Sequence, residues 1–315
     1  MLPLVSICIP CHNAADHVGA ALNSVLKQSW KPLEIIVVDD GSTDGSDEVL
    51  RDYEQDSRVR IISQENRGQC SAANRAFSES SGTYIKFFDA DDLLSPSFVE
   101  RQMARLNGRD DAVASAEWGR FFGDDLETFS SNPQSVWRDM AATDWLVEAW
   151  ADARPMMQCA LWLIPRPILE KCGGWDESLS LINDFEFFAR VLCHAEEVLF
   201  TPGATLYYRS GINGSLSGQK SRRAVESAFN SLVSGTGHLL ERRDDPVARR
   251  SCSNMLQDFI YTYYPDHPDL CAKMTERVAE LGGSKLGPDG PPRFHQLRRL
   301  VGWKFARRVQ RAIRS

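Results

Sequence analysis

Residues 5–88 alternate short apolar runs with segments of helical periodicity, and this alternation constrains the fold more than any other feature of the sequence. Four apolar runs predict strands: 5–10, 33–38, 59–63 and 83–88. Three intervening segments carry the apolar spacing or capping residues of helices: 17–28, 47–53 and 71–80. Strands that alternate with helices form βαβ units, so the sequence predicts an α/β fold with a mainly parallel sheet.

Three aspartates crowd together directly after the fourth run, in the sequence Phe88-Asp89-Ala90-Asp91-Asp92. Like charges this close repel one another unless a cation lies among them, and carboxylate oxygens are hard ligands suited to Mg²⁺ or Mn²⁺. Such a metal commonly completes its coordination with substrate phosphates. The run therefore predicts a metal and diphosphate site, and a solvated acidic turn that caps the following helix is the alternative.

Two further strands also end in polar sequence. His12 and Asn13 follow the first strand, and Asp39 and Asp40 end the second. Ligands of open parallel sheets bind beyond the carboxyl ends of the strands. We therefore expect the three polar clusters to meet at one edge of the sheet.

The length of 315 residues favours one large domain with a smaller appendage. A hydrophobic content of 43% with 25% charged residues is typical of a globular protein that forms a sizeable core. The sequence has no apolar run of about 20 residues, the length that a membrane span needs. The amino terminus runs straight into strand-like sequence without the regions of a signal peptide, which favours a cytoplasmic protein.

Cysteine spacing offers a competing interpretation, because Cys8-Ile9-Pro10-Cys11 matches a redox or half-zinc motif. A zinc site would need a second ligand pair at suitable spacing, which the sequence lacks. A reactive thiol normally begins a helix, whereas Cys8 lies within a strand-like run. We expect buried, unreactive cysteines here.

Six tryptophans fall between residues 118 and 175, where the pattern is less regular. They are expected to belong to the core and to a lid, although such aromatics can also line an acceptor site. The pattern is helical across 218–281 and is followed by a glycine- and proline-rich linker at 282–292.

The segment 293–315 is strongly basic. It holds eight of the 36 basic residues and no acidic ones, so that the rest of the chain has a formal charge near −15. Its apolar residues recur at helical spacing, which predicts one basic amphipathic helix from Arg293 to Ser315. Such a helix can lie on an anionic membrane surface, the interpretation that we favour. Docking on the acidic body or on another subunit is the alternative.

Three blocks, taken in order, resemble glycosyltransferase family 2, the inverting enzymes of the GT-A fold. They are Val5 to Asn13, Ile35 to Asp44, and Gly82 to Asp92, and recognisable similarity extends over about residues 3 to 215. The resemblance implies a nucleotide-diphospho-sugar transferase αβα sandwich at 1–217, with a nucleotide-binding half at 1–110 and an acceptor half at 111–217. The helical extension at 218–281, the linker and the basic helix would follow.

The resemblance also implies roles for individual residues. Asp40 would hydrogen-bond the nucleobase, and Pro10, His12 and Asn13 would pack on the base and ribose. Asn74 lies in the helix after Asn66-Arg67-Gly68 and would contact the donor. Asp91 would be the main metal ligand, Asp89 would serve both metal and donor, and Asp92 would assist.

Asp184 corresponds to the family's catalytic base, in the segment Asn183-Asp184-Phe185-Glu186. Without the resemblance, an aspartate at this place would more often be interpreted as a helix cap. Tyr207-Tyr208-Arg209, with Ser215-Leu216-Ser217, is similar to a loop that closes over the diphosphate, and the resemblance implies that Arg209 would contact the donor.

These residues imply an inverting, Mn²⁺- or Mg²⁺-dependent glycosyltransferase. It would move a sugar from a nucleotide-diphospho-sugar donor, most commonly a UDP-sugar, to a hydroxyl of a glycan or lipid-linked acceptor during cell-surface polysaccharide or glycolipid assembly. We expect a cytoplasmic location, peripheral at the inner face of the membrane, and no nucleic-acid partner. A degenerate member that binds nucleotide sugar or lipid without turnover is one alternative. A nucleotidyltransferase is another, although the glycine-rich phosphate loop that it would usually bring is missing from the sequence.

Overall fold

A central five-stranded sheet organises the first half of the chain in the computed structural model, which describes residues 2–212 and 221–314. Its strands lie in the order β10-β4-β1-β2-β3. Their bounds are β1 Val5–Cys11, β2 Leu33–Asp40, β3 Val59–Gln64, β4 Tyr84–Phe87 and β10 Ile164–Pro165. The pairs β4–β1, β1–β2 and β2–β3 are parallel, and β10 is antiparallel to β4. The predicted mainly parallel sheet is confirmed.

Helices cover both faces of this sheet, as the burial of every residue from Val5 to Ile9 requires. They are α1 Ala15–Leu26, α2 Ser46–Arg51, α3 Gln69–Ser78 and α4 Phe98–Leu106. The apolar stripe of α1, formed by Val18, Ala21, Leu22 and Val25, faces the core. Because β1 lies between β2 and β4, the polar residues that follow these three strands meet at one edge.

Two smaller sheets and three helices form the next part of the chain. The first contains β6 Ala112–Ala114, β9 Met140–Ala141 and β11 Glu197–Leu199; the second contains β5 Leu93–Leu94, β7 Glu117–Phe122, β8 Asp125–Ser131 and β12 Thr205–Ser210. The helices are α5 Ala142–Ala149, α6 Arg166–Cys172 and α7 Asn183–Cys193. Five of the six tryptophans are buried, and Trp137 stacks on Phe200, so most of these rings are core residues.

Five helices follow in the last third of the chain: α8 Arg222–Arg242, α9 Pro246–Tyr263, α10 Pro268–Glu280, α11 Pro292–Val301 and α12 Trp303–Arg314. Helix α8 packs on α7, and α9 packs on both α8 and α10. In the part of the chain that the structure describes, no helix has both the length and the apolar character required to span a bilayer.

The basic segment differs from the single helix that its periodicity predicts. Gly302, with a φ of 79°, ends α11 and separates it from α12. Glycine adopts this left-handed conformation without the steric cost of a Cβ atom. The buried Phe294 and the ring of Trp303, which contacts the rings of Tyr261 and Tyr264, attach one face of the pair to the body. We call α11 and α12 together the tail.

Candidate active site

Asp89, Asp91 and Asp92, which we call the acidic cluster, lie just beyond the end of β4. One carboxylate oxygen from each lies within 4.8 Å of the others. Asp92 is buried, whereas Asp89 and Asp91 are partly open. The tight turn after the strand brings the three aspartates to one point, as their spacing in the sequence predicted.

The fold compensates the charge of the acidic cluster only in part, through the buried guanidinium of Arg209, which lowers the pKa of Asp91 and of Asp92 without offsetting the effects that raise them. Burial, followed by the charge of Asp89, raises the pKa of Asp91 from 3.8 to about 7. Burial also raises the pKa of Asp89, and burial together with the two neighbouring aspartates raises that of Asp92. Crowded carboxylates of this kind fit a divalent cation, because it would supply the opposite charge and prefers oxygen ligands.

Neutral amides hold the acidic cluster in place. Gln158 Nε2 donates one hydrogen bond to Asp89 Oδ2 (2.9 Å) and one to Asp92 Oδ2 (2.8 Å). Gln69 Nε2 donates to Asp89 Oδ1 at 2.9 Å. These donors orient the carboxylates but bring no positive charge. Sequence reasoning missed both glutamines, although Gln158 stands out as a polar residue within the apolar run 156–162.

Lys86 supports the same arrangement from inside the core. It is fully buried on β4, and its Nζ donates to the carbonyl oxygens of Ala160 (2.7 Å) and Trp162 (3.0 Å). Burial lowers its pKa well below the usual value of 10.5. Lys86 thereby joins β4, which leads into the acidic cluster, to the segment that carries Gln158. A lysine within an apolar strand run was the signal that sequence reasoning did not use.

Asp184 lies in the first turn of α7, near the acidic cluster. Its pKa is raised well above the usual value, first by burial and then by the charge of Asp89. The thiol pKa of Cys159 is likewise raised by burial and by Asp89, Asp184 and Asp92. The structure therefore brings Asp184 and the acidic cluster into one neighbourhood. Within residues 2–212 and 221–314, the Asp184 carboxylate accepts no hydrogen bond, so its oxygens are available to a ligand.

Asn183, the residue before Asp184, connects this helix to the acidic cluster. Its Oδ1 accepts a hydrogen bond from the backbone N–H of Asp184 (3.0 Å), and its Nδ2 donates to Gln69 Oε1 (3.2 Å). Because Gln69 also donates to Asp89, two neutral side chains link the helix start to the acidic cluster.

Asp40, at the end of β2, has a different environment from the acidic cluster. It is buried, and its Oδ1 accepts hydrogen bonds from Gln64 Nε2 (2.7 Å) and from the backbone N–H of Arg67 (2.9 Å). Its Oδ2 accepts one from the backbone N–H of Gly68 (2.7 Å). Asp40 therefore fixes the loop after β3, and its predicted contact with a nucleobase stays a prediction.

His12 and Asn13 form an exposed edge after β1. Asn66 Nδ2 lies 3.1 Å from His12 Nε2, and Asn13 Oδ1 accepts a hydrogen bond from the backbone N–H of Thr43 (2.8 Å). Pro10 lies half-buried in β1 beside Val38. The structure thus brings together the residues that the resemblance assigns to base and ribose.

Asn74 and Arg209 are already engaged by the protein. The amide of Asn74 donates to the carbonyl oxygen of Trp175 (2.9 Å) and accepts from its N–H (2.7 Å), which holds the loop before α7. The guanidinium of Arg209 is buried and donates to the carbonyl oxygens of Asp91 and Gly123. Their predicted donor contacts stay predictions, and Ser215-Leu216-Ser217 lies outside the described residues.

The cysteine pair on β1 has the environment of core residues. Cys8 and Cys11 are free and buried. Burial raises the pKa of Cys11 to about 12 and raises that of Cys8 further, so neither thiol ionises readily. Among the described residues, the acidic cluster is the one group of three or more His, Cys, Asp or Glu side chains close enough to hold a metal.

A protein-family model described as "Glycosyl transferase family 2" matches residues 6–173, which are more than half of the chain. The chain belongs to this family. This family member is 36% identical over 148 residues to the uncharacterized glycosyltransferase YibD of Escherichia coli (strain K12), a match that covers 45% of this chain and 42% of YibD. It is 44% identical over 100 residues to the chondroitin synthase of Pasteurella multocida (strain Pm70), a match that covers 31% of this chain and 10% of the synthase. The chain spans less than two thirds of either relative's length.

Solved structures of S. aureus TarS residues 1–349 share the fold. One gives a TM-score of 0.68 at 15% identity and covers 88% of this chain and 80% of that one. A second, in complex with UDP-GlcNAc, gives a TM-score of 0.64 at 16% identity and covers 88% and 90%. The predicted GT-A-type α/β core with a helical carboxyl-terminal region is therefore confirmed. Because the sequence identities are only 15% and 16%, these structures show a shared fold and not a shared activity.

Proposed function

We propose that this member of glycosyl transferase family 2 is an inverting, metal-dependent glycosyltransferase. It moves a sugar from a nucleotide-diphospho-sugar to an acceptor hydroxyl. The observation that carries the proposal is that Asp184 lies near the three crowded carboxylates. Its pKa is raised by burial and by the negative charge of Asp89. A metal site and a general base near it are what a displacement at the anomeric carbon requires.

The reaction is a single displacement. The acceptor oxygen bonds to the anomeric carbon of the donor while Asp184 accepts the proton of that hydroxyl. The bond between the anomeric carbon and the diphosphate oxygen breaks on the opposite face, so the configuration inverts. Burial supports Asp184 in this role, because a base whose pKa is raised toward neutrality holds the transferred proton better.

The acidic cluster would hold the divalent cation, with Asp91 as its main ligand and Asp89 and Asp92 beside it. Bound there, Mn²⁺ or Mg²⁺ supplies positive charge to the departing diphosphate. Gln158 and Gln69 keep the carboxylates oriented without neutralising them.

The donor lies along the edge formed by Pro10, His12, Asn13 and Asp40 in this proposal. UDP is the proposed nucleotide, a choice supported by the crystal structures of TarS in complex with UDP-GlcNAc and with UDP. Direct contacts of Asn74 and Arg209 with the donor would require them to exchange hydrogen bonds that they now make within the protein.

The proposed acceptor is a hydroxyl of a glycan or a lipid-linked glycan, used in cell-surface polysaccharide or glycolipid assembly on the cytoplasmic side. The similarity to a chondroitin synthase supports a polysaccharide product.

Transfer from radiolabelled nucleotide sugars tests the proposal. We expect UDP-sugars with Mn²⁺ to raise the thermal unfolding temperature, and transfer to glycan acceptors to stop when the metal is chelated. NMR of the product should give an anomeric configuration opposite to that of the donor. Metal-dependent binding of donor without hydrolysis or transfer would instead identify a degenerate nucleotide-sugar-binding protein. Retention of configuration would refute the role of Asp184.

A further inference from the structure

The tail exposes an unusual share of the large apolar side chains of this protein. Leu300 is 83% exposed, Val301 46%, Phe305 55% and Ile313 80%. Nine large hydrophobic residues are exposed in the described part of the chain, and these four lie within its last fifteen residues. Scattered exposed apolar residues are ordinary, but a concentration of them marks a binding surface.

The contacts of the tail with the body set which of its sides faces outward. Trp303 packs against Tyr261 and Tyr264, Ala306 is buried, and Arg311 donates to the carbonyl oxygen of Thr262 (2.8 Å). The same helix presents other residues to solvent. Phe305 and Ile313 are eight residues apart, which sets their side chains about 80° apart around the axis of α12, within the width of one apolar stripe. Both side chains are exposed, so they face solvent and not the core.

Basic residues surround the exposed apolar ones. Arg293, Arg299, Lys304 and Arg308 are all exposed. The segment 293–315 contains no acidic residue, whereas the remainder of the chain has a formal charge near −15. An anionic surface would thus attract the tail and repel the body, which would orient the protein with its tail against that surface.

We propose that the outward side of the tail, formed by Leu300, Val301, Phe305 and Ile313 with their basic neighbours, binds the surface of an anionic lipid bilayer. Apolar side chains beside exposed arginine and lysine are the composition of helices that lie in the interfacial region of a membrane. The apolar groups enter the boundary between headgroups and acyl chains, and the basic groups contact lipid phosphates. Binding places the body on one side of the membrane without any spanning helix.

Co-sedimentation of the full chain with vesicles tests this proposal. We expect the protein to bind vesicles of phosphatidylglycerol and phosphatidylcholine, and binding to weaken by about tenfold or more in high salt or in vesicles of phosphatidylcholine alone. The triple variant Leu300→Ser/Phe305→Ser/Ile313→Ser should lose about tenfold in partitioning. Arg293→Gln/Arg299→Gln should reduce both the affinity and its salt dependence.

A matched control comes from exposed apolar residues elsewhere on the molecule. Leu126 is 46% exposed and Val247 is 56% exposed. The variant Leu126→Ser/Val247→Ser should bind vesicles like the parent protein. All variants should keep the parent's circular dichroism spectrum and unfolding temperature, because the replaced side chains are exposed.

Three results would overturn the proposal. They are failure of the full chain to bind anionic vesicles, equal binding by the triple variant, and self-association in solution that depends on the same residues and occurs without vesicle binding. The last result would assign the surface to a second copy of the chain. Vesicle binding requires no donor or acceptor, so its outcome is independent of the proposed glycosyl transfer.

Discussion

Asp40 lies at the end of β2 and the acidic cluster lies beyond the end of β4, on either side of β1. The two sites differ in how far the surrounding protein stabilises their negative charge. Asp40 accepts three hydrogen bonds, two of them from backbone N–H groups. The acidic cluster accepts hydrogen bonds from neutral side-chain amides and one from the backbone N–H of Arg209, and its pKa values are nevertheless raised by burial and by repulsion among its members. The fold thus satisfies the carboxylate of Asp40 with hydrogen bonds, whereas it offsets the crowded charge of the acidic cluster only in part.

This difference separates a structural carboxylate from reactive ones. Removing a charge that the fold satisfies should cost stability. Removing a charge that the fold leaves unsatisfied should cost function and leave stability equal or higher. Asp184, which is half-buried and accepts no hydrogen bond in the described part of the chain, belongs with the acidic cluster in this respect.

The largest effect is expected from Asp184→Asn. An amide cannot take up the acceptor's proton, so the rate of transfer should fall by about 10²- to 10⁴-fold. Donor binding should persist, and the unfolding temperature should stay equal or rise, because an uncompensated charge has been removed. Initial rates with a radiolabelled nucleotide sugar and thermal unfolding measure both quantities. A rate equal to that of the parent protein would remove Asp184 from the mechanism.

Next in size is the effect of Asp91→Asn. Asp91 is the proposed main metal ligand, so its loss should abolish stabilisation by Mn²⁺ and most of the transfer activity. In the metal-free protein at pH 8 the same change should raise the free energy of unfolding by on the order of 2 kcal/mol, since it removes a partly buried charge that the neighbouring carboxylates repel. Thermal unfolding with and without MnCl₂ tests both signs. A metal-free variant less stable than the parent would mean that Asp91 is satisfied like Asp40.

The pH dependence of stability sharpens this prediction. The pKa of Asp91 is about 7 in the folded protein against an ordinary value of 3.8, so the folded state holds more protons between about pH 4 and 7. The contribution of Asp91 to stability is therefore complete below about pH 4 and is lost as the pH rises through 7. The stability difference between Asp91→Asn and the metal-free parent should widen over this range. A difference independent of pH would contradict the raised pKa.

Asp40→Asn should have the opposite effect on stability. The substituted amide would place a donor opposite a group that already donates, so we expect a loss of about 1–3 kcal/mol in the free energy of unfolding. Mn²⁺ should not alter this loss, because Asp40 lies outside the acidic cluster. Chemical denaturation at neutral pH measures it. No loss of stability would place Asp40 among the unsatisfied carboxylates.

The smallest effect is expected from Gln158→Met, which keeps the length of the side chain but removes the amide shared by Asp89 and Asp92. Two carboxylates then lose a neutral donor, so the free energy of unfolding of the metal-free protein should fall by about 1 kcal/mol. The apparent affinity for Mn²⁺ should change because the ligands are less well oriented. Calorimetric titration with MnCl₂ measures this change, and an unchanged affinity would reduce Gln158 to a packing role.

The sequence predicted the features that depend on local pattern. The alternation of apolar runs and helical segments led to the parallel sheet, and the aspartates after β4 led to the acidic cluster, because three residues in one turn must lie together. The basic character of the tail was also visible. Its division into two helices was not predicted, since a single glycine within a helical pattern does not by itself require a break.

The amino-acid sequence by itself thus determined the alternation of strands and helices across residues 5–88 and the crowding of Asp89, Asp91 and Asp92, because both follow from neighbours along the chain. The tertiary structure alone decided that Asp184 lies near Asp89, that Gln158 bridges two carboxylates, and that Asn74 and Arg209 are engaged within the protein. These contacts join residues about 65 to 120 positions apart, and packing of the core brings such residues together without leaving a local signal.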